Sequence, residues 1–480
     1  MHTSPCRTDQ LLQALRRQQG VATSAELAAA LGVSQPTVSR ALAPLLQSGQ
    51  VRKAGAARSQ RYLLPRRVRD VGDEVLLMRV DTHGRPGPFG RMVPLQGGAF
   101  WVDEEDGVSE LHDSLPWFLA DMRPQGFMGR NFAHTHPELE LPGDPRHWSD
   151  DDVLRALALG GEDLPGNLLV GSASLQRFYQ LPGQLARAQS PLDYPQLAQQ
   201  ALKGTLPGSS AGGEQPKFCC VTGTGKGTDT GADGRSVIVK FSSAGTGPDD
   251  RRTRDLLLCE HLALQVLGRA GLPAAASQVF VQAGRVFLES ERFDRHSPWQ
   301  PQPETGAPAL PPGRIGMVSL MVYDAQYVGD MDTWAATALR MEARGLLRPE
   351  DARTLRLLDA YGRLIGNTDR HYGNISLVLV NDDWHLSPTY DMLPMLYMPI
   401  AGEVVAQQLG AEKMVPTAHT LDVWSEAQAL ALAFWQAAAQ DGRISSGFRQ
   451  LAQGNALALE RAQSLHVGPA ASLYSQQKML

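Results

Sequence analysis

The chain has 480 residues, of which 42% are hydrophobic and 20% charged, the composition of an ordinary soluble globular protein. This length exceeds what one core supports, so we expect two to four domains. No run of about 18 apolar residues and no apolar signal core is present, so we expect a cytoplasmic protein with no membrane contact. The four cysteines form no C-x-x-C pair, which argues against a zinc ribbon or a disulfide framework.

The net charge of −5 hides an asymmetry. Residues 1–70 carry 11 Lys and Arg against 3 Asp and Glu, a net +8, which leaves −13 for the other 410 residues. A small basic head on an acidic body indicates that the head binds a polyanion while the body has another task.

The basic head has the pattern of a helix-turn-helix. Residues 9–18, 25–31 and 35–47 are predicted helices, with Ser24 and Ser34 as caps and Gly32 as the break. The apolar stripe of the third helix leaves its polar side chains facing outward, where a recognition helix reads DNA. These candidate base-reading residues are Gln35, Thr37, Ser39 and Arg40.

A two-stranded wing is predicted to follow, from residues 51–53 and 61–64. Its cations would lie beside phosphates and supply affinity rather than sequence reading: Arg52, Lys53, Arg58 and Arg61. The stretch T-S-A-E-L-A-A-A-L-G-V-S-Q-P-T-V-S-R-A-L resembles the winged helix-turn-helix of bacterial transcription regulators. The alternative is a three-helix protein-interaction module with a solvated basic face.

Residues 69–160 read as a β-rich subdomain in which we find no evident chemistry. The acidic residues between Asp103 and Glu110 are expected to form a solvated loop rather than a metal site.

The densest group of reactive side chains lies in G-N-T-D-R-H-Y-G-N (Gly366 to Asn374) and in the Tyr390-Asp391 pair. A predicted helix (355–365) leads in, and a predicted hairpin (375–379 and 384–386) leads to Asp391. Rigid elements would therefore present one candidate base and two candidate metal ligands. Taken singly, each residue favours an ordinary structural role: Asp369 as a helix cap, His371 as a core histidine and Asn374 as a turn residue.

Partners for this group occur upstream. Residues 204–217 are small, polar and glycine-rich, which suits close approach of backbone N–H groups to phosphate. Lys240 lies near the end of the predicted strand 236–241, either as a lysine that pairs with phosphates or as an ordinary edge-strand charge. Glu260 lies in the predicted helix 255–270, either as the ion-pair partner of Lys240 or as a surface carboxylate. G-T-G-K-G-T (223–228) lacks the G-K-[ST] of a Walker A loop and is rejected as the nucleotide site.

This order of parts is that of a two-lobed protein kinase, and Asn374 follows Asp369 by the same five positions as in H-R-D-x-x-x-x-N. The motifs S-S-A-G-G-E-Q-P-K, V-I-V-K, E-R-F-D-R, N-T-D-R-H-Y-G-N and Y-D-M-L-P resemble the signatures of the HipA family of toxin serine/threonine kinases. A HipA-like body behind a winged helix is similar to the YjjJ-type branch of that family.

The resemblance implies roles for individual residues. Asp369 would be the catalytic base, Asn374 and Asp391 would bind Mg²⁺, and Ser209 or Ser210 would be autophosphorylated. The residues that it implies for ATP binding comprise the phosphate loop, a lysine, the hinge and the neighbours of the base: Ala211, Gly212, Gly213, Glu214, Gln215, Lys217, Lys240, Glu291, Arg292, Phe293, Asp294, His371, Asn374, Tyr390 and Asp391. Among these, Glu291 to Phe293 would form the adenine hinge, with Asp294 near the ribose.

The sequence therefore predicts an α+β multidomain protein. Its parts are a winged helix-turn-helix (1–68), a β-rich subdomain (69–160), a kinase N-lobe (161–310) and a helical C-lobe (311–480). The leading functional hypothesis is an ATP- and Mg²⁺-dependent serine/threonine protein kinase toxin that regulates its own transcription. The open alternatives are a regulator with a catalytically silent, nucleotide-sensing body and a metal-dependent nuclease. Candidate partners are DNA, a protein substrate, an antitoxin and a second copy of the chain.

Overall fold

A computed structural model describes residues 5–55, 60–204, 206, 213–223, 234–296 and 311–467. The described residues form two compact units. The first contains residues 5–184, Gly213 and 311–314, and the second contains 185–206, 214–296 and 315–467, each with the gaps just given. The predicted α+β class is confirmed, whereas the boundaries of the four predicted domains remain predictions.

The head folds as the predicted winged helix-turn-helix. Its elements are α1 (Pro5–Arg17), β1 (Val21–Ala22), α2 (Ser24–Leu31), α3 (Gln35–Gln47), β2 (Arg52–Ala54) and β3 (Arg61–Leu63). The strands form an antiparallel sheet in the order β1-β3-β2. The apolar stripes of the three helices meet in one core that includes Leu11, Leu15, Leu27 and Leu42, as expected for helices amphipathic at a 3.6-residue period.

The caps of these helices differ from the prediction. Thr23, not Ser24, caps α2, because its hydroxyl accepts from the backbone N–H of Glu26 at 3.2 Å while the Glu26 carboxylate accepts from the N–H of Thr23 at 2.7 Å. Gly32 ends α2 with φ of +64°, a conformation that glycine adopts without strain. Ser34 has the N-cap position of α3, but its hydroxyl pairs with the Thr37 hydroxyl rather than with the backbone.

A β-rich segment follows within the same unit. Its elements are β4 (Val75–Val80), β5 (Pro86–Pro94), β6 (Phe100–Glu104), β7 (Ser109–His112), α4 (Gly126–Thr135), α5 (Asp150–Gly160), β8 (Leu168–Val170) and α6 (Gly171–Gln184). The sheet has the order β7-β6-β5-β4-β8. The prediction of a solvated acidic loop at 103–110 is wrong at both ends. Asp103 and Glu110 lie in the β6–β7 hairpin, and the Asp103 carboxylate accepts hydrogen bonds from Trp101 and Ser109.

Head and β-rich segment share a hydrophobic cluster. Val21, Ala54 and Leu63 of the head pack with Leu95 and Trp101 of the sheet. Backbone hydrogen bonds Leu64 N to Gly20 O (2.7 Å) and Gln96 N to Leu64 O (2.9 Å) run through the same junction. Because the cluster draws on both parts, the head is built into this unit rather than tethered to it.

The second unit begins with a five-stranded sheet. Its elements are β9 (Arg187–Ala188), α7 (Tyr194–Leu202), β10 (Lys217–Thr222), β11 (Arg235–Phe241), α8 (Pro248–Arg269), β12 (Ser277–Gln282) and β13 (Arg285–Glu291). The strand order is β12-β13-β11-β10-β9, with only the β9–β10 pair parallel. Cys219 and Cys220 lie buried in β10.

The rest of this unit is mostly helical around a small sheet. Its elements are β14 (Met317–Ser319), α9 (Leu320–Tyr327), α10 (Trp334–Ala343), α11 (Pro349–Leu364), β15 (Ser376–Val380), β16 (Asp383–Leu386), α12 (Trp424–Gln440) and α13 (Ser446–Val467). The β15–β16 hairpin turns at Asn381 and Asp382, both with positive φ. In the described part of the chain, no helix is both long and apolar enough to span a membrane.

Candidate active site and nucleic-acid interface

Lys240 of β11 is the centre of a buried charge cluster. Its Nζ donates to Oε1 of Glu260 on α8 at 2.6 Å and also to the carboxylate of Asp391. The Glu260 side chain is only 2% exposed, so the structure has the ion pair rather than the alternative surface carboxylate. Three elements that are distant in sequence therefore meet at one ammonium group.

The titration of this cluster follows from its burial and its charges. Burial opposes the charged form of Lys240, but the carboxylates of Asp391 and Glu260 outweigh it and raise the Lys240 pKa. Burial raises the pKa of Glu260 against the opposing effect of Lys240. Burial likewise acts to raise the pKa of Asp391, yet Lys240 and Lys217 hold that pKa below its ordinary value. The charged forms of Lys240 and Asp391 are therefore favoured in a site shielded from water.

Lys217 of β10 is a second buried lysine beside this cluster. It is paired in register with Lys240 across the β10–β11 ladder and is 3% exposed. Burial lowers its pKa, although the nearby Asp391 acts in the opposite direction. Two lysines therefore approach one aspartate, an arrangement that suits an anionic ligand with several phosphates.

The loop that carries Asp369 is fixed by amides on both sides. After α11 ends, Gly366 adopts φ of +76°, and the Asn367 side chain accepts from the backbone N–H of Asp369 at 3.0 Å. Nδ2 of Asn374 donates to the backbone O of Asp369 at 2.9 Å and to its Oδ2 at 3.3 Å. The Asp369 side chain remains 49% exposed, so its carboxylate is both held and accessible to a substrate.

Further side-chain contacts stabilise the loop. Arg370 Nε donates to Oδ1 of Asp359 on α11 at 3.0 Å, and its Nη1 donates to the backbone O of Asn367. Asn367 also donates to the backbone O of Asp391 at 3.4 Å. Asp391 has φ of +51°, a left-handed conformation that aspartate tolerates better than most residues.

His371 and Tyr390 lie around this loop. Nδ1 of His371 accepts from the N–H of Gly373 at 3.0 Å, and its Nε2 lies 3.8 Å from Oδ1 of Asp369. The Tyr390 hydroxyl donates to Gly373 O at 3.1 Å and is 2.7 Å from the Ser376 hydroxyl. Contact of His371 and Tyr390 with a nucleotide stays a prediction.

The predicted hinge adjoins the site through an aromatic pair. The rings of Phe293 and Tyr390 are tilted with centroids 5.6 Å apart, and Glu291 closes β13. Asp294 is buried and accepts from Arg292 at 2.8 Å and from Arg295 at 2.7 Å. Because two guanidinium groups hold this carboxylate, its contact with a ribose stays a prediction.

The predicted phosphate loop is described in part. Gln215 donates to the backbone O of Phe241 at 2.9 Å, which attaches the end of the loop to the β11 strand. Gly213 and Glu214 are also described, whereas Ser209, Ser210, Ala211 and Gly212 lie outside the described residues. Their phosphate contact and autophosphorylation stay predictions.

The donor set suits a hard divalent cation. The Asn374 amide donates through Nδ2, so its Oδ1 is the atom that could bind a cation. Asp391 offers a carboxylate, and metal binding by the two residues stays a prediction. Mg²⁺ is commonly held by one or two protein oxygens together with substrate phosphates. Within the described ranges, no group of three His, Cys, Asp or Glu side chains forms a complete metal cage.

Sequence reasoning missed the residues that hold the loop: Asn367, Asp359 and Arg370. One local signal existed for Asn367. In an Asx turn, the side chain of an Asn accepts a hydrogen bond from the backbone N–H two positions later, and that position is Asp369. Asp359 lies 11 positions before Arg370, and no local pattern links the two residues.

On the head, the predicted base-reading side chains lie at the surface. Gln35, Ser39 and Arg40 are exposed on α3, and Thr37 is half-buried. Arg40 Nε donates to Pro36 O, on its own helix, at 3.3 Å. Three of the four predicted base-reading side chains are therefore accessible on the surface of this helix.

The cations of the wing differ in exposure and in ion pairing. Lys53 is exposed, whereas Arg52 is half-buried and donates to Asp73 and Glu74 at 2.7 Å each. Arg61 lies 3.7 Å from the Glu26 carboxylate, and Arg58 lies outside the described residues. The carboxylates around Arg52 compete with any phosphate there.

Comparison with known families gives three matches along the chain. An IclR helix-turn-helix domain matches residues 7–55, the middle domain of a YjjJ-like toxin matches 71–179, and a HipA-like C-terminal domain matches 209–456. The chain is also 35% identical over 441 residues to Toxin YjjJ of Escherichia coli strain K12, covering 91% of this chain and 94% of that protein.

Solved structures give weaker likenesses. The chain is similar to a Shewanella oneidensis HipA–HipB–operator DNA complex, with a TM-score of 0.49 and 14% identity, covering 80% of this chain and 96% of that chain. The Helicobacter pylori proinflammatory kinase CtkA matches with a TM-score of 0.32 and 10% identity, over 48% of this chain and 87% of that chain. The HipA-like domain spans more than half of the sequence, and the 35% identity extends over nine-tenths of it. The chain therefore belongs to the HipA-like toxin family, in its YjjJ-like branch with an N-terminal helix-turn-helix.

Proposed function

We propose that the second unit is a serine/threonine protein kinase that transfers the γ-phosphate of ATP to a protein hydroxyl. The observation that carries this proposal is Lys240, held between Glu260 and Asp391. Protein kinases use a strand lysine paired with a helix glutamate to orient the α- and β-phosphates, and an aspartate from a later loop to bind Mg²⁺.

The remaining roles follow from the loop geometry. Asp369 is held by Asn367 and Asn374 yet exposed, which suits a base that accepts the proton of a substrate hydroxyl. Asn374 and Asp391 would hold Mg²⁺, which when bound neutralises charge on the phosphates. Lys217 adds a second cation at the same end of β10 and β11. ATP and Mg²⁺ are thus the proposed cofactors.

Incubation of the full chain with γ-labelled ATP and Mg²⁺ tests the proposal. We expect labelled protein, with phosphate mapped by mass spectrometry to Ser209 or Ser210, and label on added protein substrates. If ATP raises the melting temperature but no label reaches protein or peptide, the body is a nucleotide sensor and the kinase assignment is wrong.

We further propose that the head binds operator DNA, since α3 presents Gln35, Ser39 and Arg40 to solvent. Fusion of this head to a toxin-family body is consistent with control of its own transcription. A second copy of the chain and an antitoxin are the candidate protein partners. Gel-shift titration against the upstream region of its own gene tests the assignment, and binding no tighter than to unrelated DNA contradicts it.

A further inference from the structure

A basic cleft lies beside the catalytic loop, on the second unit. It encloses about 310 Å³ and is lined by Arg363, Gly366, Asn367, Thr368, Arg370 and Lys413. Three of these six residues are cations, and Asn367 and Thr368 add uncharged hydrogen-bonding groups. None of the roles given above uses Arg363, Thr368 or Lys413.

The positive charge of this cleft is only partly compensated. Arg370 is neutralised by Asp359 at 3.0 Å. Arg363 donates to the backbone O of Glu412 at 2.5 Å, which positions its guanidinium without neutralising it. In the described part of the chain, no carboxylate oxygen lies within 4.0 Å of the charged nitrogens of Arg363 or Lys413. Two positive charges are therefore open to an anionic ligand.

The cleft is adjacent in sequence and in space to the proposed base. Thr368, on its wall, immediately precedes Asp369, and Asn367 accepts from the Asp369 N–H. Successive Cα atoms are about 3.8 Å apart, and an extended peptide advances roughly 3.3 Å per residue. A peptide whose hydroxyl is bound at Asp369 would therefore bring the residues beside its acceptor towards Thr368, on the wall of the cleft.

We propose that this cleft binds an anionic side chain of the protein substrate, a carboxylate or a phosphorylated residue close to the acceptor serine or threonine. Arginine binds both groups through paired N–H donors, and lysine adds a point charge. The inference rests on the kinase function proposed above and names its substrate class. Nucleic acid is the less favoured ligand, because the chain beyond residue 70 carries a net −13 and a duplex requires a longer basic track.

The test uses three synthetic peptides that differ only beside one serine: glutamate, phosphoserine or alanine at the neighbouring positions. Initial rates are measured for the wild-type chain and for Arg363→Gln/Lys413→Gln. The control is Arg353→Gln/Arg461→Gln, which also removes two positive charges. Both arginines are exposed, and Arg353 lies on α11, the helix that carries Arg363. Autophosphorylation of each variant verifies that it is folded and active.

We expect the wild type to prefer at least one anionic peptide over the alanine peptide by about tenfold or more in kcat/KM, mainly through KM. The double variant should lose this preference, whereas the control keeps it. Comparison of the glutamate and phosphoserine peptides shows whether the cleft prefers a carboxylate or a phosphate group.

Three results would overturn the inference. The first is autophosphorylation without any preference for anionic peptides, and the second is a preference that persists in Arg363→Gln/Lys413→Gln; both leave the kinase function standing. The third is competition by duplex DNA that depends on Arg363 and Lys413, which reassigns the cleft to nucleic acid. Absence of both autophosphorylation and peptide phosphorylation contradicts the kinase function itself, and the inference falls with it.

Discussion

The head and the buried charge cluster around Lys240 present their cations in opposite ways. On the head, Arg40 and Lys53 are exposed, and Arg40 donates to Pro36 of its own helix. In the buried cluster, Lys240 is 13% exposed and lies between two carboxylates. The first arrangement suits a long polyanion that approaches from outside, and the second suits a small, highly charged ligand in a shielded site.

The two regions also differ in how the sequence encodes them. The candidate reading residues Gln35 to Arg40 occupy one helix, whereas Lys240, Glu260 and Asp391 come from elements separated by 20 and 151 positions. A single local pattern therefore specifies the surface of the head, while the tertiary fold assembles the buried charge cluster. Substitutions that exploit this difference give the following expectations.

Lys240→Met should have the largest effect. Removing this ammonium should lower phosphoryl transfer by about 100-fold or more, because a preorganised charge aimed at the phosphates is lost. Initial rates with labelled ATP measure the loss, and Lys53→Met, on the exposed wing, is the matched control. If the body were instead a nuclease, DNA cleavage would survive Lys240→Met almost unchanged.

Glu260→Ala should destabilise the second unit. It removes one partner of a buried ion pair and leaves Lys240 with Asp391 alone, a change that typically costs about 3 kcal/mol of unfolding free energy. Urea denaturation measures this loss. The control is Glu426→Ala, whose carboxylate pairs with Arg353 at an exposed site and should contribute less than about 1 kcal/mol. Equal losses in the two variants would mean that the Lys240–Glu260 pair is not shielded from water.

On the head, Arg40→Ala should weaken specific DNA binding about tenfold, an effect typical of a base-edge contact. Arg52→Ala should weaken it less, because Asp73 and Glu74 already hold its guanidinium. Fluorescence anisotropy with an operator duplex at fixed salt concentration measures both. The reverse order of effects would mean that Arg52 leaves its carboxylates to bind phosphate.

The smallest effect is expected from Thr23→Ala, which removes the cap of α2 and should cost about 1 kcal/mol of unfolding free energy. Ser24→Ala, at the neighbouring hydroxyl, should cost under about 0.5 kcal/mol. Hydrogen bonds from the backbone and side chain of Thr23 lower the pKa of Glu26. The folding stability that ionised Glu26 contributes is therefore present above the ordinary glutamate pKa. It is lost as the pH falls through the lower pKa of Glu26 in the folded state. Equal losses from the two alanine variants would restore Ser24 as the cap.

The sequence anticipated most secondary structure near the site because the signals there are local. The hairpin at Asn381 and Asp382 and the strand that carries Lys240 were predicted close to their observed bounds. The family was also identified correctly, from ordered motifs rather than from any single residue.

Other features depended on contacts that no local pattern encodes. Glu260 was left open between a surface residue and an ion-pair partner, since only the packing of α8 against the sheet decides its burial. The basic cleft was not anticipated, because Lys413 and Arg363 are distant in sequence and only the tertiary fold brings them to one cleft. Ser24 was mistaken for the cap of α2 because Thr23 and Ser24 are chemically equivalent candidates at adjacent positions.

Asp369→Asn tests whether Asp369 is the base of a phosphoryl-transfer site. The substitution keeps the shape of the side chain and removes its basicity, while Lys240 and Asp391 remain to bind nucleotide. We expect transfer from labelled ATP to fall by about 10²- to 10⁴-fold, with the ATP-induced rise in melting temperature retained. Transfer at the wild-type rate would mean that Asp369 is not the base.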